Sequence, residues 1–448
     1  MSDHKKYHYP KQLSIVRFLL KAESIRKNPI PFHKKFFDQF GDTFSLKIGK
    51  TKHVILSRDN EVAEYILQKN HKNYQKSELQ TKFISKYLGH GLLTANGDFW
   101  LKQRRLIQPA FHKQKMNQLV QNMQQTIVAE LQDLPEENAV ALFPIMNQLA
   151  FNVVAKSLFH LSVSEEKLSR LKIIINDVQE FLIKEIRLPY KAFWFKISGQ
   201  IKKHQALALE SDAIIKEIVE ERITSKSQQN DLLDMLLETR YEDSGESMST
   251  QQLIDEIKIL FIAGHETTTN ALTFTLQLLG NHPEVQQKVF EELTAIASET
   301  DDIVEQLQKM TYTNAVLNES MRLYPPAWIT DRENIADDTL LGYSIKEKTL
   351  IGVSFYELHR NPKYWENPED FNPERFLGDQ KKQSYQYFYP FGAGPRMCIG
   401  LGFAMYEMSL TLAYIIKKYK VVSADKNIKI NPLVTLKPVG AAVTFSKR

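Results

Sequence analysis

The ten residues 391–400 combine the only cysteine of the chain with three glycines and an arginine. They read Phe-Gly-Ala-Gly-Pro-Arg-Met-Cys-Ile-Gly, and the helix-like apolar pattern of 401–416 follows directly. Backbone N–H groups at a helix start favour a thiolate, and glycines let a flat or bulky group approach the backbone. Cys398 is therefore predicted to be either a thiolate ligand or a nucleophile. A small buried thiol without chemistry is the structural alternative.

A second candidate for chemistry is the segment 263–268, Ala-Gly-His-Glu-Thr-Thr, which places a carboxylate beside a hydroxyl after two small residues. Small residues in a helix allow a ligand to approach, and an acid next to an alcohol can relay protons to a buried oxygen atom. The alternative is that the threonines bond to carbonyls of their own helix while Glu266 faces solvent.

Two further pairs of residues are spaced so that both members would lie on the same face of a helix. Trp100 and Arg104 are four residues apart, and Glu319 and Arg322 are three apart. Most such charged pairs are exposed and contribute little to stability. Lys102 and Arg105 are predicted either to lie on a basic helix face or to form part of a docking surface for an acidic partner.

The elements that must position these residues can be read from apolar periodicity. The longest is a helix from Ser249 to Gly280, with Ser249 and Gln252 resembling a capping box and Pro283 just beyond its end. Alternation around 44–48 and 54–56 predicts a hairpin, and helical spacing dominates from 60 to 280. Short strand-like runs follow at 350–355 and 434–445. The sequence thus predicts a mainly α protein with small β-sheets.

Composition narrows the class of protein. The chain has 448 residues, 43% of them apolar, and a formal net charge of only +5, which argues against a nucleic-acid binder. One cysteine excludes intramolecular disulfides and multi-cysteine metal sites. No repeat or linker marks a second domain, so a single domain, 1–448, is predicted. The apolar run 13–20 is too short for a transmembrane anchor and reads as an amphipathic helix, and no secretory signal is apparent, so a cytoplasmic location is expected.

The cysteine segment resembles the Phe-x-x-Gly-x-Arg-x-Cys-x-Gly signature of the cytochrome P-450 family, the haem-thiolate monooxygenases. Phe391, Gly394, Arg396, Cys398 and Gly400 occupy its fixed positions. The resemblance implies that Cys398 is the axial thiolate ligand of haem iron. It further implies that Arg396 binds a haem propionate and that Phe391 packs against the thiolate side of the haem.

Other motifs resemble the same family in the same order along the chain. Ala263, Gly264, Glu266 and Thr267 match its oxygen-activation motif, which implies that the small residues lie against the haem, that Glu266 supplies protons and that Thr267 hydrogen-bonds dioxygen. Trp100, Arg104 and Arg332 match positions that contact haem propionates. Glu319, Arg322 and Arg375 match the Glu-x-x-Arg helix and the Pro-Glu-Arg-Phe loop, which implies a buried charge network behind the cysteine segment.

The resemblance, to the soluble bacterial type, implies a cytochrome P-450 fold whose long helix crosses the haem pocket. It implies a β-rich lobe, approximately 42–60, 325–360 and 429–445, and a helical lobe, approximately 61–324 and 398–420. The expected cofactor is haem b, iron protoporphyrin IX, with O₂ as co-substrate. Since the sequence holds no Rossmann glycine fingerprint and too few cysteines for an iron–sulfur cluster, we expect a separate ferredoxin or flavodoxin with an NAD(P)H-dependent reductase.

The expected function is insertion of one oxygen atom of O₂ into a small lipophilic substrate. Alternatives are a peroxide-driven haem hydroxylase, a haem-based sensor or carrier, and a cysteine hydrolase without haem. Several segments without a readable code are predicted to line the substrate pocket: 75–96, 327–328, 436–438, Phe181, Tyr190, Phe193, Trp194, Phe195 and Phe261.

Overall fold

The structure is a computed structural model that describes residues 7–49, 52–136, 138–159, 163–226 and 228–448. Contacts between Cα atoms group the chain into two compact units. The first contains the described residues of Met1–Ser77, Asn318–Cys398 and Ile430–Lys437. The second contains those of Glu78–Leu317, Ile399–Lys429 and Pro438–Arg448. The predicted class, mainly α with small β-sheets, is confirmed.

A six-stranded sheet forms the centre of the first unit. Its strands follow the order Gln12–Leu13, Thr43–Ile48, Lys52–Ser57, Leu350–Ser354, Ile329–Asn334 and Tyr74–Gln75. The predicted hairpin is present, with Phe44 opposite Leu56 in antiparallel register. The strand Lys52–Ser57 then pairs in parallel with Leu350–Ser354, which joins chain segments nearly 300 residues apart. A small sheet of Asp338–Leu340 and Tyr343–Ile345 lies in the same unit.

Short helices cover this sheet. The α-helices of the first unit are Ile15–Leu20, Ala22–Lys27, Ile30–Phe40, Asn60–Glu64, Phe355–Leu358 and Gln380–Gln386. Single turns of other helix types occupy Tyr65–Lys69, His71–Asn73, Pro373–Phe376 and Gly394–Arg396. The predicted helix in 13–20 is present as Ile15–Leu20. Thr311–Leu323 contains the point at which the chain passes from one unit to the other.

The second unit is mostly helical. Its α-helices are Ser85–Leu88, Gly97–Ile107, Lys113–Leu131, Leu142–Phe159, Glu165–Arg187, Ala192–Ile197, Gln200–Ser225, Leu232–Glu238, Thr250–Asn281, Pro283–Glu299, Ile303–Lys309 and Leu401–Lys418. Single turns occupy Leu79–Ile84, Gln108–Phe111 and Pro189–Lys191. Tyr419–Ser423, Ala442–Lys447 and Val140–Ala141 form a three-stranded sheet. The strands Lys429–Pro432 and Leu436–Val439 lie partly in the first unit, which contains Ile430–Lys437. In the described part of the chain, no helix is long and apolar enough to cross a membrane.

Thr250–Asn281, here called the long helix, is buried around most of its circumference. Ser249 caps its start by accepting a hydrogen bond of 3.2 Å from the Gln252 backbone N–H. The Gln252 side chain does not return this bond but donates to the His90 carbonyl and to Glu256, so half of the predicted capping box forms. The predicted bounds therefore agree with the structure to within one residue.

A buried charge network fixes the first unit ahead of the cysteine segment. Arg322 donates two hydrogen bonds to Glu319, at 2.7 and 2.8 Å, and both side chains are fully buried. Arg375 lies 3.4 Å from the same carboxylate. Arg322 also donates to the carbonyls of His359, Pro368 and Asp370. The network that the resemblance implied is thus present, and burial lowers the pKa of the Arg322 guanidinium.

Replacing Glu319 with glutamine should destabilise the protein by about 3–5 kcal/mol, because the substitution leaves the Arg322 charge buried without its counter-charge. Chemical unfolding measured by circular dichroism checks this. The matched control is Glu23→Gln, which removes the acid of the exposed pair Glu23 and Arg26 at the same three-residue spacing in the same unit. We expect no measurable change there. Equal stability of the two variants would contradict a stabilising role for the network.

Candidate haem site

The cysteine loop, residues 391–400, presents its thiol at the surface of the first unit. The Cys398 N–H donates to the Phe391 carbonyl at 2.9 Å, which closes the loop, and Cys398 itself is exposed. The next helix begins at Leu401 with Gly400 as its N-cap. The thiol therefore lies two residues before the cap, slightly earlier than the predicted helix start.

Gly394 explains why this loop requires glycine. Its backbone has φ of +67°, a conformation that side chains disfavour. A Cβ there would lie 1.9 Å from the carbonyl oxygen of Leu67, in the turn Tyr65–Lys69. Gly392 has a similar φ of +71° but open space where a Cβ would be. The loop is therefore seated directly on the Tyr65–Lys69 backbone at Gly394.

Two arginines of the first unit repel one another. Arg396 lies in the cysteine loop, and Arg332 lies on the strand Ile329–Asn334, where it is 7% exposed. Burial, followed by the positive charge of Arg332, lowers the pKa of Arg396 to about 10. Burial also lowers the pKa of Arg332, although Asp331 opposes the shift. Bringing an anion beside these two guanidinium groups would relieve both effects, as a haem propionate would.

The long helix carries one open stripe in its middle. Leu260, Ala263, Gly264 and Thr267 follow the i, i+3, i+4, i+7 spacing of one face and are partly or fully exposed, although most neighbouring positions are buried. The stripe is apolar apart from the Thr267 hydroxyl, which donates to the Ala263 carbonyl at 2.6 Å. The second unit therefore offers a face with small side chains on which a flat apolar group could lie.

The other residues of this motif are buried. Glu266 is 7% exposed, and His265, at 1%, packs edge-on against the Phe151 ring at 5.6 Å. His265 therefore contributes to the packing of the long helix. A Cβ at Gly264 would lie 3.1 Å from Val154, so this glycine also lets the long helix pack closely on Leu142–Phe159.

The helix Gly97–Ile107 holds the predicted propionate contacts of the second unit. Trp100 is 9% exposed, while Arg104 is partly buried and donates to Gln108 at 3.4 Å. Lys102 lies 2.5 Å from Asp243, and Arg105 lies 3.9 Å from Glu242. These exposed ion pairs already balance the basic face on which a partner was predicted to dock.

Sequence reasoning missed a pair of adjacent carboxylates that hold the chain ahead of Gly97–Ile107. Asp255 accepts a hydrogen bond from the His90 N–H at 2.8 Å, and Glu256 accepts one from the Leu92 N–H at 3.0 Å. A Cβ at Gly89 or Gly91 would lie within 2.7 Å of these carboxyl groups. Two acidic residues facing inward from an otherwise apolar helix were the available signal.

The predicted pocket aromatics divide into two groups. Phe181, Phe195 and Phe261 are buried, with Phe261 packed against the Phe151 and Phe159 rings. Tyr190, Phe193 and Trp194 are instead 69%, 74% and 59% exposed, so they lie on the surface rather than in a closed pocket.

Comparison with known proteins places this site in a family. The family model described as Cytochrome P450 matches residues 8–445. A solved structure titled "Crystal structure of cytochrome P450DA heme domain" superposes with a TM-score of 0.85 over 99% of both chains at 21% sequence identity. The chain therefore belongs to the cytochrome P450 family and has its fold.

Curated relatives share close to a third of their residues with it. Cyclooctat-9-en-7-ol 5-monooxygenase of Streptomyces melanosporofaciens is 29% identical over 85% of this chain and 82% of its own length. A cytokinin hydroxylase of Arabidopsis thaliana is 31% identical over 91% of this chain and 82% of its own. Echinocystic acid 23-monooxygenase of Saponaria officinalis is 28% identical over 96% of this chain and 89% of its own length. The protein is accordingly an oxidoreductase of the monooxygenase class, which uses haem iron, O₂ and electrons from redox partners.

The seating of the cysteine loop leads to a prediction about its two left-handed glycines. Gly394→Ala should lose about 3 kcal/mol or more of stability and lose bound haem, because its Cβ meets backbone rather than a movable side chain. Gly392→Ala is the matched control and should lose only about 1–2 kcal/mol, the cost of the left-handed backbone. Thermal unfolding and the ratio of haem to protein absorbance measure both. Equal losses would contradict the contact with Leu67.

Proposed function

We propose that this chain binds haem b through Cys398 and inserts one oxygen atom of O₂ into a small lipophilic substrate. The single observation that carries the haem assignment is the cysteine loop, which exposes the one thiol of the chain two residues after Arg396, whose guanidinium is repelled by that of Arg332. A thiolate and a pair of cations are the chemistry that an iron porphyrin with two propionates requires. The structure thus has residues that fit the group.

The roles of the remaining residues follow from this binding. Arg332 and Arg396, with Trp100 and Arg104, would hold the propionates, while Phe391 would pack beside the thiolate. Ala263 and Gly264 would leave room for the porphyrin face. Bound haem would supply the activation of O₂, and the chain would supply the environment: Thr267 a hydroxyl and Glu266 a buried carboxyl group for proton supply.

A lipophilic substrate is supported by the apolar stripe of the long helix and by the relatives. Two relatives are named as monooxygenases of organic compounds, one of the unsaturated alcohol cyclooctat-9-en-7-ol and the other of echinocystic acid. Electrons are proposed to come from a ferredoxin or flavodoxin with an NAD(P)H-dependent reductase, because members of the family need redox partners.

The test of haem ligation is the difference spectrum of the dithionite-reduced protein with and without carbon monoxide. We expect a strongly red-shifted Soret band that is absent in Cys398→Ala, since that substitution removes the thiolate. Circular dichroism shows whether the variant is folded. Because Cys398 is the only thiol, thiol titration provides a second readout: haem should protect it in the native protein. If the protein binds no haem when it is expressed with adequate haem, the proposal is wrong. The alternative that Cys398 is a nucleophile would then be favoured.

The role of Thr267 is tested by the yield of product per nicotinamide consumed. Thr267→Ala should lower this yield severalfold, because the hydroxyl on the open stripe is lost, while Thr267→Ser should restore it. The matched control is Thr273→Ala, which removes a hydroxyl bonded to the carbonyl four residues earlier at 2.7 Å on the same helix, but fully buried. An unchanged yield in Thr267→Ala, or an equal fall in Thr273→Ala, would contradict the assignment.

A further inference from the structure

The turn 241–246, here called the acidic turn, lies against the exposed face of the helix Gly97–Ile107. Its Asp243 carboxylate lies 2.5 Å from the Lys102 ammonium group. The hydrogen bond between them raises the pKa of Lys102 and lowers the pKa of Asp243. The acidic turn contains three carboxylates and no lysine or arginine. It therefore covers part of the helix with negative charge.

Hydrogen bonds hold the acidic turn in one shape and fix it to the helix. The Tyr241 N–H donates to the Glu246 carbonyl at 2.9 Å, and the Gly245 N–H donates to the Tyr241 carbonyl at 2.8 Å. The side-chain amide of Gln103, which is 1% exposed, donates to the Tyr241 hydroxyl at 2.7 Å. This sheltered bond places the carboxylates over the cations of the helix.

The cations beneath the acidic turn belong to a longer basic stretch. Residues 99–115 contain five lysines or arginines and no aspartate or glutamate. The acidic turn pairs with two of them, Lys102 and Arg105. Lys113 and Lys115 form no ion pair within the described ranges. A basic surface of this kind attracts an acidic protein, and the acidic turn occupies part of it in advance.

The two ion pairs are of the kind that a partner can exchange. The side chains of Lys102, Asp243, Arg105 and Glu242 are all more than half exposed. Exposed pairs contribute little to stability because water solvates both charges well. A purely stabilising role for the acidic turn is therefore disfavoured.

We propose that the acidic turn is an internal competitor, which an acidic electron donor must displace to reach Lys102 and Arg105. The inference rests on the proposed function, since it requires a separate electron donor. The same helix carries Trp100 and Arg104, which are proposed to hold the haem propionates, so it links its exposed face to the cofactor. The acidic turn and the donor offer like charges to the same cations and cannot occupy them together.

Titration of the haem-loaded protein with an acidic plant-type [2Fe–2S] ferredoxin, followed by calorimetry at low ionic strength, tests this. Glu242→Gln with Asp243→Asn should lower the dissociation constant by about three- to tenfold, because the turn no longer competes for the cations. Lys102→Gln with Arg105→Gln should raise it, because the donor loses both cations. Both differences should shrink in about 0.5 M salt, where charges are screened beyond about 4 Å.

Combining the two sets of substitutions separates competition from simple repulsion. With Lys102→Gln and Arg105→Gln already present, the turn substitutions should change the dissociation constant by less than about twofold, because no paired cation remains to be released. Repulsion by the carboxylates would persist in this background and would contradict the proposal. Glu217→Gln with Glu221→Gln is the matched control: it removes two exposed acids that pair with Lys167, and affinity should stay native.

Hydrogen–deuterium exchange of the complex gives a readout without turnover. Ferredoxin should slow exchange in 99–107 and speed it in 241–246, because displacement removes the bond to Gln103. Protection of both segments would show that the acidic turn is part of the docking surface, and the proposal would be wrong. Native protein that has the red-shifted carbon monoxide spectrum but binds no ferredoxin would also overturn it, leaving the haem assignment intact. Absence of that spectrum would instead refute the proposed function.

Discussion

The paired charges of Glu319 and Arg322 are the interaction on which the arrangement of the first unit depends. Removing both groups from water is costly, and the cost is offset because nearly every polar atom finds a partner. Glu319 meets both arginines and the Asn372 N–H, and Arg322 reaches three backbone carbonyls. The network thereby joins a helix to a long irregular segment that has no ladder of hydrogen bonds to fix it. That segment leads to the cysteine loop.

The cysteine loop shows a second constraint, one of space. Gly394 can approach the Leu67 carbonyl only because it lacks a side chain, and the turn it meets belongs to a helix bulge rather than a regular helix. The loop is thus held from behind by backbone contact while its thiol faces outward. Arg332 and Arg396 are affected by burial, because removal from water lowers the pKa of both guanidinium groups. The cysteine loop therefore combines a backbone held in place at Gly394 with a half-buried arginine, Arg396.

Much of this could be predicted from the sequence, and the reasons are specific. The long helix was placed to within one residue because its apolar period and its Ser249 cap are both local signals. The hairpin also follows from local alternation, whereas the Glu319 network is implied by the family resemblance and not by residue spacing. The parallel pairing of Lys52–Ser57 with Leu350–Ser354 could not be predicted, because sequence gives no register between distant strands. The prediction that Tyr190, Phe193 and Trp194 line a pocket is wrong, because these side chains are exposed. Helical spacing indicates which side chains share a face, but it does not indicate whether that face is buried or exposed to solvent.

The hydroxyl of Thr267 has a single proton, and in this structure that proton is directed at the Ala263 carbonyl. A hydroxyl so engaged presents only its lone pairs to the open side of the helix. It can therefore steady a neighbouring group that donates a hydrogen bond, but it cannot donate one without first rotating and giving up the carbonyl. In this geometry the residue selects for partners that already carry a proton, and the proton itself must originate elsewhere in the protein or its solvent.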